Sequence, residues 1–445
     1  MKSILMTAVA GLLLLTAGCG VQRIVWSPDG ERAAVLGEQG LCFSDPDGKL
    51  SGVLVSNVAM AAWFPDSRKL ALIRSTDARS WADLQSHLRP GDRDQFVQQG
   101  QMVLKDLDAG HDWKAALNGL DHPEAVAIYL KSLDGVKEKA GASWGDLDTK
   151  SAAVYELFVG AINDGQVTLG PVLVQTLRQP LPLGLRVSPA GNAIAMTTDG
   201  GKRHGARLAV VPSDGSAPEQ IVSEESCAHP DWTKDGRCLV YINASGAMTS
   251  DDDMRLGSLT RRQVINAAGA VEIQTNHEDL AGMLFDNSLG ARCLSDGRIL
   301  FIALDLQLPI TGPDMPQRTQ IFSLDPRHET TLTRLIPHSV MENLPQGIGF
   351  FEISPDEKKV LMAGSKGSVA VLSLADGNVT LLQAEANDDA QSYPSWRGSD
   401  EVCFLSSRPT NSAGHEWEVT LWKNGTNRVI SADWPAEFRK GFLEK

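Results

Sequence analysis

A short motif repeats along this chain and constrains its fold more than any other feature. In each copy a bulky residue precedes a turn of the Ser-Pro-Asp-Gly type, and a short apolar run follows the turn. Seven segments fit the pattern, at residues 26–36, 63–73, 187–196, 232–242, 294–302, 353–363 and 396–405. Because proline restricts φ, aspartate caps the turn and glycine accepts positive φ, each copy predicts a turn that leads into a buried strand.

A second predicted hairpin follows the motif in most units. Asp47-Gly48, Asp376-Gly377 and Asn424-Gly425 lie between apolar runs, and such pairs are typical of tight hairpin turns. In the fourth unit the candidate strands are Leu256–Leu259 and Val271–Ile273. Four short strands per unit predict an all-β fold, a β-propeller of seven four-stranded blades. Irregular copies of the motif leave six or eight blades as alternatives.

The repeated Ser-Pro-Asp-Gly turn before a short apolar strand resembles the repeat of TolB-type, WD-like β-propellers. This resemblance implies the propeller fold and says little about function. TolB itself carries a separate α/β domain before its propeller. Here a strand is predicted from Val21, two residues after Cys19, so we expect that domain to be absent.

One interval between motif copies is much longer than the others. Residues 76–153 show helical spacing of apolar residues, and the predicted helices cover 80–88, 93–107, 113–120 and 123–140. Strand character resumes at Val154, so the second blade is expected to contain an α-helical insertion between its second and third strands. Two interpretations stand: a decorated loop that caps the blade, or a subdomain that binds a partner or covers the channel.

The N-terminus has the pattern of a bacterial lipoprotein. Residues 1–18 combine Lys2, an apolar run and small residues, which indicates a signal peptide, and Cys19 follows in a segment that resembles a lipobox. Lipid attachment at Cys19 is therefore predicted, with ordinary secretory cleavage as the alternative. Gly20, where inner-membrane lipoproteins carry Asp, favours the outer membrane of a Gram-negative cell, facing the periplasm, before the cell surface. The propeller is assigned to 19–75 and 154–432, and 433–445 form a C-terminal tail.

Composition and motifs exclude several functions. Lys and Arg total 41 against 55 Asp and Glu, a net charge of −14, so no nucleic-acid partner is expected. The chain contains no HExxH or phosphate-binding loop motif, and its cysteines after Cys19 lack zinc spacing. Neither a cofactor nor a firm metal site is predicted. Cysteines 42, 227, 238, 293 and 403 are interpreted mainly as small buried residues, with disulfides left open.

Two sets of aspartates are candidate site residues. The motif aspartates are interpreted as structural turn caps and not as a distributed active site: Asp29, Asp66, Asp235, Asp296 and Asp356. Asp251, Asp252 and Asp253 are weak candidates for a calcium site, but the alternating spacing of a calcium loop is missing, so a solvated loop is preferred.

The function predicted from the sequence is a lipid-anchored cell-envelope propeller. It would bind a protein or peptide of the envelope as a non-catalytic scaffold, held at the membrane by its lipid anchor. The alternative is a hydrolase or lyase acting on glycans or peptides, with an active site assembled from several blades at the channel mouth. A small-ligand or metal sensor is a third hypothesis, supported only by the loop at Asp251–Asp253. Charged side chains at the channel mouth would help to separate these hypotheses.

Overall fold

The computed structural model describes most of the chain and shows an all-β ring. It describes residues 23–37, 39–141, 144–200, 206–226, 229–243, 255–285, 290–305, 319–328, 332–337, 348–364, 368–383, 394–409 and 415–435. Cys19, Cys227 and the loop Asp251–Asp253 lie outside these residues.

Seven four-stranded antiparallel blades follow one another along the chain, as the repeat predicts. Blade 1 contains β1 (Ile24–Trp26), β2 (Ala33–Gly37), β3 (Gly40–Ser44) and β4 (Val55–Ser56). Blade 2 contains β5 (Val58–Trp63), β6 (Lys69–Ala78), β7 (Ala152–Asn163) and β8 (Gln166–Thr176). Blade 3 contains β9 (Pro180–Val187), β10 (Ala193–Thr198), β11 (Ala206–Pro212) and β12 (Gln220–Ser226). Blades 3 and 4 share one bridge, between Ser226 and Asn243.

The remaining blades repeat the same order. Blade 4 contains β13 (Asp231–Trp232), β14 (Cys238–Asn243), β15 (Arg255–Gln263) and β16 (Glu278–Phe285), and blade 5 contains β17 (Ala291–Cys293), β18 (Ile299–Leu304), β19 (Thr319–Leu324) and β20 (Leu332–Arg334). Blade 6 contains β21 (Ile348–Ile353), β22 (Lys359–Gly364), β23 (Val369–Ser373) and β24 (Val379–Gln383), and blade 7 contains β25 (Ser395–Arg397), β26 (Glu401–Pro409), β27 (His415–Lys423) and β28 (Thr426–Val429). The second strands are almost wholly buried between neighbouring blades, which accounts for their continuous apolar sequences.

Side chains from blade 7 close the ring, because each blade takes all four strands from one stretch of chain. Arg397 donates from Nε to the Gly30 carbonyl at 2.9 Å, and its guanidinium lies 5.2 Å from the Trp26 ring centre. Trp434, which is 2 % exposed, donates from Nε1 to the Gly48 carbonyl at 2.7 Å. Within the residues that the structure describes, the seam between the first and last blades is therefore held by side chains and not by a shared strand.

Repeated tryptophans join neighbouring blades elsewhere. Trp63 donates from Nε1 to the Val25 carbonyl at 2.8 Å, and Trp232 donates to the Arg186 carbonyl at 3.2 Å. Trp396 repeats this contact with the Glu352 carbonyl at 3.2 Å. The bulky motif residue thus packs against the preceding blade and also satisfies a carbonyl of that blade's first strand.

The insertion is a helical unit between β6 and β7. Its helices are α1 (Trp81–Ser86), α2 (Pro90–Asp108), α3 (Trp113–Asn118), α4 (Pro123–Lys131), α5 (Val136–Ala140) and α6 (Trp144–Asp148). Helices α2 and α4 cross closely at Gly100, where an added Cβ would lie 2.3 Å from the Tyr129 ring. Among the described residues no helix is both long and apolar enough to cross a membrane.

Several detailed expectations were wrong. The helix predicted over 123–140 ends at Lys131, because Gly135 turns the chain with φ at 78° before α5, and α6 was not predicted. The candidate strand Val271–Ile273 contributes only a bridge from Val271 to Ile265, and the fourth strand of blade 4 is β16. In blade 5 the bulky position belongs to Cys293 and not to Leu294, since Cys293 pairs with Ile299 as Trp26 pairs with Ala33.

Candidate functional site

The motif aspartates each stabilise one turn and do not converge. Each accepts a hydrogen bond at Oδ1 from the backbone N–H two residues later, at 2.9 to 3.3 Å: Asp29, Asp66, Asp235, Asp296 and Asp356. A turn hydroxyl also donates to three of them, for example Ser27 to Asp29 at 2.6 Å. Although burial opposes it, these bonds lower the pKa of Asp29. Turns capped in this way occur in five of the seven blades, namely blades 1, 2, 4, 5 and 6.

A charged cluster joins the first strands of four consecutive blades in the centre of the ring. We define the channel cluster as Arg186 of blade 3, His229 and Asp231 of blade 4, Arg292 of blade 5 and Glu352 of blade 6. First strands contact each other at β1–β5, β5–β9, β13–β17 and β25–β1, and the hydrogen bonds of the cluster join blades 3, 5 and 6. None of these five residues was predicted as a site residue from the sequence.

The carboxylate of Glu352 is the centre of the cluster. Arg292 donates to it from two nitrogens, Nε to Oε1 at 2.9 Å and Nη2 to Oε2 at 3.0 Å. Arg186 reaches it from blade 3, with Nη2 3.0 Å from Oε2. Bidentate guanidinium pairs are among the strongest charge-assisted hydrogen bonds. Both carboxylate oxygens are therefore occupied by groups from other blades.

The charges shift the acidity of Glu352 strongly. Burial alone would raise the pKa of Glu352, but the charges and hydrogen bonds of Arg292 and Arg186 lower it to about 2. Only 4 % of the Arg292 side chain and 22 % of the Glu352 side chain are exposed. Glu352 is therefore an ionised, protein-bound counter-ion at neutral pH.

The pKa values of Asp231 and His229 are shifted in opposite directions by their surroundings. Burial raises the pKa of Asp231, and the nearby Arg292 and Arg186 offset this only in part. One Asp231 oxygen accepts the backbone N–H of Cys293 at 2.8 Å, which links blade 4 to blade 5. Burial first, and then Arg292 and Arg186, lower the pKa of His229 to about 3, so its imidazole is neutral at pH 7.

An apolar contact accompanies the charged cluster. Leu183 has φ at 58° and packs with Phe350 and Ala363, so blade 3 meets blade 6 across the ring. His229 also has positive φ, at 76°, and it hydrogen-bonds the backbone of Leu183. Such backbone conformations are costly for residues other than glycine and are retained only where the surroundings enforce them. The backbone is thus distorted at Leu183 in β9 and at His229, two residues before β13, where the two residues are hydrogen-bonded.

A weak signal for the channel cluster was present in the repeat. The residue directly before the bulky motif position is, in blade order, Val25, Ala62, Arg186, Asp231, Arg292, Glu352 and Ser395. Four consecutive units therefore place charges of alternating sign at one structural position. In blade 5 this position is recognised only when Cys293, and not Leu294, is taken as the bulky motif residue, because Arg292 directly precedes Cys293.

A second polar contact fixes the helical insertion on its blade. Glu156 of β7, which is buried, accepts from Gln175 at 2.9 Å, and its Oε1 lies 3.1 Å from Nδ1 of His87, which follows α1. Arg89 pairs with Glu219 of blade 3 at 2.5 Å. Ala78 and Val154 of blade 2 pack into the same apolar core as the helices. The insertion is therefore held in one position on blades 2 and 3.

The chemistry available in the channel cluster is limited. Both Glu352 oxygens bind guanidinium groups, and burial raises the pKa of the neighbouring Cys293 thiol well above its ordinary value, so Cys293 is not a thiolate. Within the described parts of the chain, no three His, Cys, Asp or Glu side chains are arranged to hold a metal ion. Cys42, Cys293 and Cys403 are buried, and Cys238 is partly exposed.

The solved structures that are similar to this chain are distant from it in sequence. No protein-family model matches this chain, and no curated protein matches it. Among solved structures, the β-propeller domain of the Trilobed protease from Pyrococcus furiosus is 10 % identical, with a TM-score of 0.48, over 93 % of this chain and 99 % of that one. A puromycin-hydrolyzing peptidase of Mycobacterium tuberculosis is 11 % identical, with a TM-score of 0.45, over 93 % of this chain and 54 % of that one. An oligogalacturonate lyase is 14 % identical, with a TM-score of 0.40, over 78 % and 75 %. Such identities concern the propeller fold alone.

Proposed function

We propose that this protein is a non-catalytic binding scaffold of the cell envelope. Its ligand is a protein or peptide, and Cys19 carries the lipid that anchors it to the outer membrane. The observation that carries the proposal is the fixed helical insertion. Because a hydrogen bond, an ion pair and a shared apolar core hold it against blades 2 and 3, it offers a partner a preformed surface that needs no ordering on binding.

The channel cluster supports a structural role for the central charges. The positive charges of two guanidinium groups nearly balance the negative charges of two carboxylates, and His229 is neutral. Catalytic acids and bases need lone pairs or protons that can reach a substrate. Glu352 has both oxygens engaged, which favours ring stabilisation over chemistry at this position.

Deletion of 78–152 with a short linker tests the role of the insertion. We expect loss of partner capture from envelope extract while the thermal melting of the propeller persists. Met102→Asp is a milder variant, since Met102 is 65 % exposed on α2, and Leu381→Asp on blade 6, 49 % exposed, is its matched control. Unchanged capture by the deletion variant would refute the role of the insertion.

A hydrolase or lyase remains the second candidate, on one observation. The channel cluster contains two carboxylates whose pKa values are pushed apart, raised for Asp231 and lowered to about 2 for Glu352. Such pairs are typical of acid–base sites. A screen on envelope glycans and peptides decides the question: activity that disappears in Asp231→Asn would replace the scaffold by an enzyme.

The lipid anchor is tested separately from binding. Replacing Cys19 by Ala should abolish acyl labelling and release the protein from membranes. Labelling that persists in Cys19→Ala would refute the anchor and would leave the binding proposal intact.

A further inference from the structure

A cleft of about 660 Å³ opens at the seam between blades 1 and 7. One wall is the segment 49–53 after the Asp-Gly turn of blade 1, and the other is Ile430 with 433–435 after β28. No residue of the insertion or of the channel cluster lines it. Its volume lies within the roughly 300–1,000 Å³ that is typical of ligand sites.

One wall of the cleft is an incomplete sheet edge. The outer strand β4 has only two residues, and before it Ser51 and Leu54 turn their N–H groups inward, to Phe43 and Leu41 carbonyls at 2.8 Å. The N–H groups of Gly52 and Val53 donate to no group that the structure describes, and Val53 is 43 % exposed. An exposed edge with free N–H groups pairs readily with another extended chain.

The cleft is preformed and has opposite charges on its two walls. Trp434 is held against Gly48 by its indole hydrogen bond, and Leu50 packs on the core of the seam. Lys49 lines one wall and Asp433 lines the other, and neither forms an ion pair within the described ranges. A ligand that carries both charges is therefore complementary to the cleft.

We propose that this cleft binds an extended peptide as an added strand of blade 1. Peptide carbonyls accept from the N–H groups of Gly52 and Val53, and an apolar side chain packs on Leu50 and Val53. An acidic residue of the peptide faces Lys49 and a basic residue faces Asp433. This site goes beyond the proposed scaffold role of the insertion and fails or succeeds independently of it, because the two share no residue.

The test uses the full-length chain and a fluorescein-labelled peptide of alternating Thr and Val. The peptide carries Glu at one end and Lys at the other, in both orders, and binding is followed by fluorescence anisotropy. Val53→Asp should weaken binding about tenfold or more, whereas Val172→Asp, on outer strand β8 and 40 % exposed, should not change it. Lys49→Glu should weaken binding, and replacing the peptide Glu by Lys should restore it. That rescue is not expected from a variant that merely misfolds.

Three outcomes would overturn the proposal. The first is no binding by the wild-type chain with either peptide order. The second is equal binding by wild type and Val53→Asp. The third is binding that requires removal of residues 436–445, because the chain's own C-terminus would then be the occupant.

Discussion

The replacement Glu352→Gln is the most informative perturbation of the channel cluster. It keeps the shape of the side chain and removes the charge that holds Arg186 and Arg292. A carboxyl whose pKa falls from 4.5 to about 2 on folding stabilises the folded state by about 3 kcal/mol when ionised, because one pKa unit corresponds to about 1.4 kcal/mol. Breaking one partner of a buried pair typically costs about 3 to 5 kcal/mol, so both arguments agree.

The pH dependence has a definite sign. Since the pKa of Glu352 is lower in the folded state than in the unfolded state, its contribution is complete above pH 4.5 and is lost as the pH falls toward 2. The stability difference between wild type and Glu352→Gln should therefore be constant near neutral pH and should shrink below pH 4.5.

The assay is urea unfolding followed by tryptophan fluorescence at several pH values. Glu278→Gln is the matched control, because Glu278 forms one ion pair with Arg261 on blade 4 and its side chain is 55 % exposed. Exposed pairs contribute about 0 to 1 kcal/mol, so this variant should unfold almost as wild type does. If Glu352→Gln costs no more than Glu278→Gln, the channel cluster does not couple the four blades and the reasoning fails.

Three further predictions concern other features. Between pH 7 and 5, thermal melts should show a smaller loss of stability for His229→Asn than for wild type. The pKa of His229 is about 3 in the folded state and 6.5 in the unfolded state, so protonation of this residue favours unfolding in wild type but not in the variant. Equal losses would contradict this. Gly48→Ala should lower the melting temperature by several degrees, since φ is 87° and the new Cβ would lie 1.9 Å from the Ile430 carbonyl oxygen, whereas Gly52→Ala, with open space around it, should not. A thiol reagent at pH 8 should leave native Cys403 unmodified, as burial raises its pKa to about 12; rapid labelling before unfolding would refute this.

The fold was predictable because its signals are local. Each turn such as that at Asp29 is specified by a few adjacent residues, and each apolar run behind it must be buried on both faces. Repetition of such signals is sufficient to indicate stacked four-stranded units. The insertion was equally visible because strand patterns stop after β6 and resume at β7.

The errors arose where local patterns were ambiguous. Apolar residues continue at helical spacing past Lys131, yet Gly135 with positive φ separates α4 from α5. In blade 4 the apolar segment at Val271 matches a strand, but β15 pairs instead with β16. Pairing between strands depends on the packing of whole blades, which a short window of sequence does not contain.

The sequence by itself determined the repeat, the four-stranded units, the turn chemistry and the place of the insertion, and it favoured seven blades over six or eight. Only the tertiary structure brought Arg186 within 3.0 Å of Glu352, although 166 residues separate them. It also placed Trp434 against Gly48 and so formed the seam and its cleft. The physical reason is ring closure: the angle between successive blades, summed around the ring, decides which first strands face each other and where the last blade meets the first.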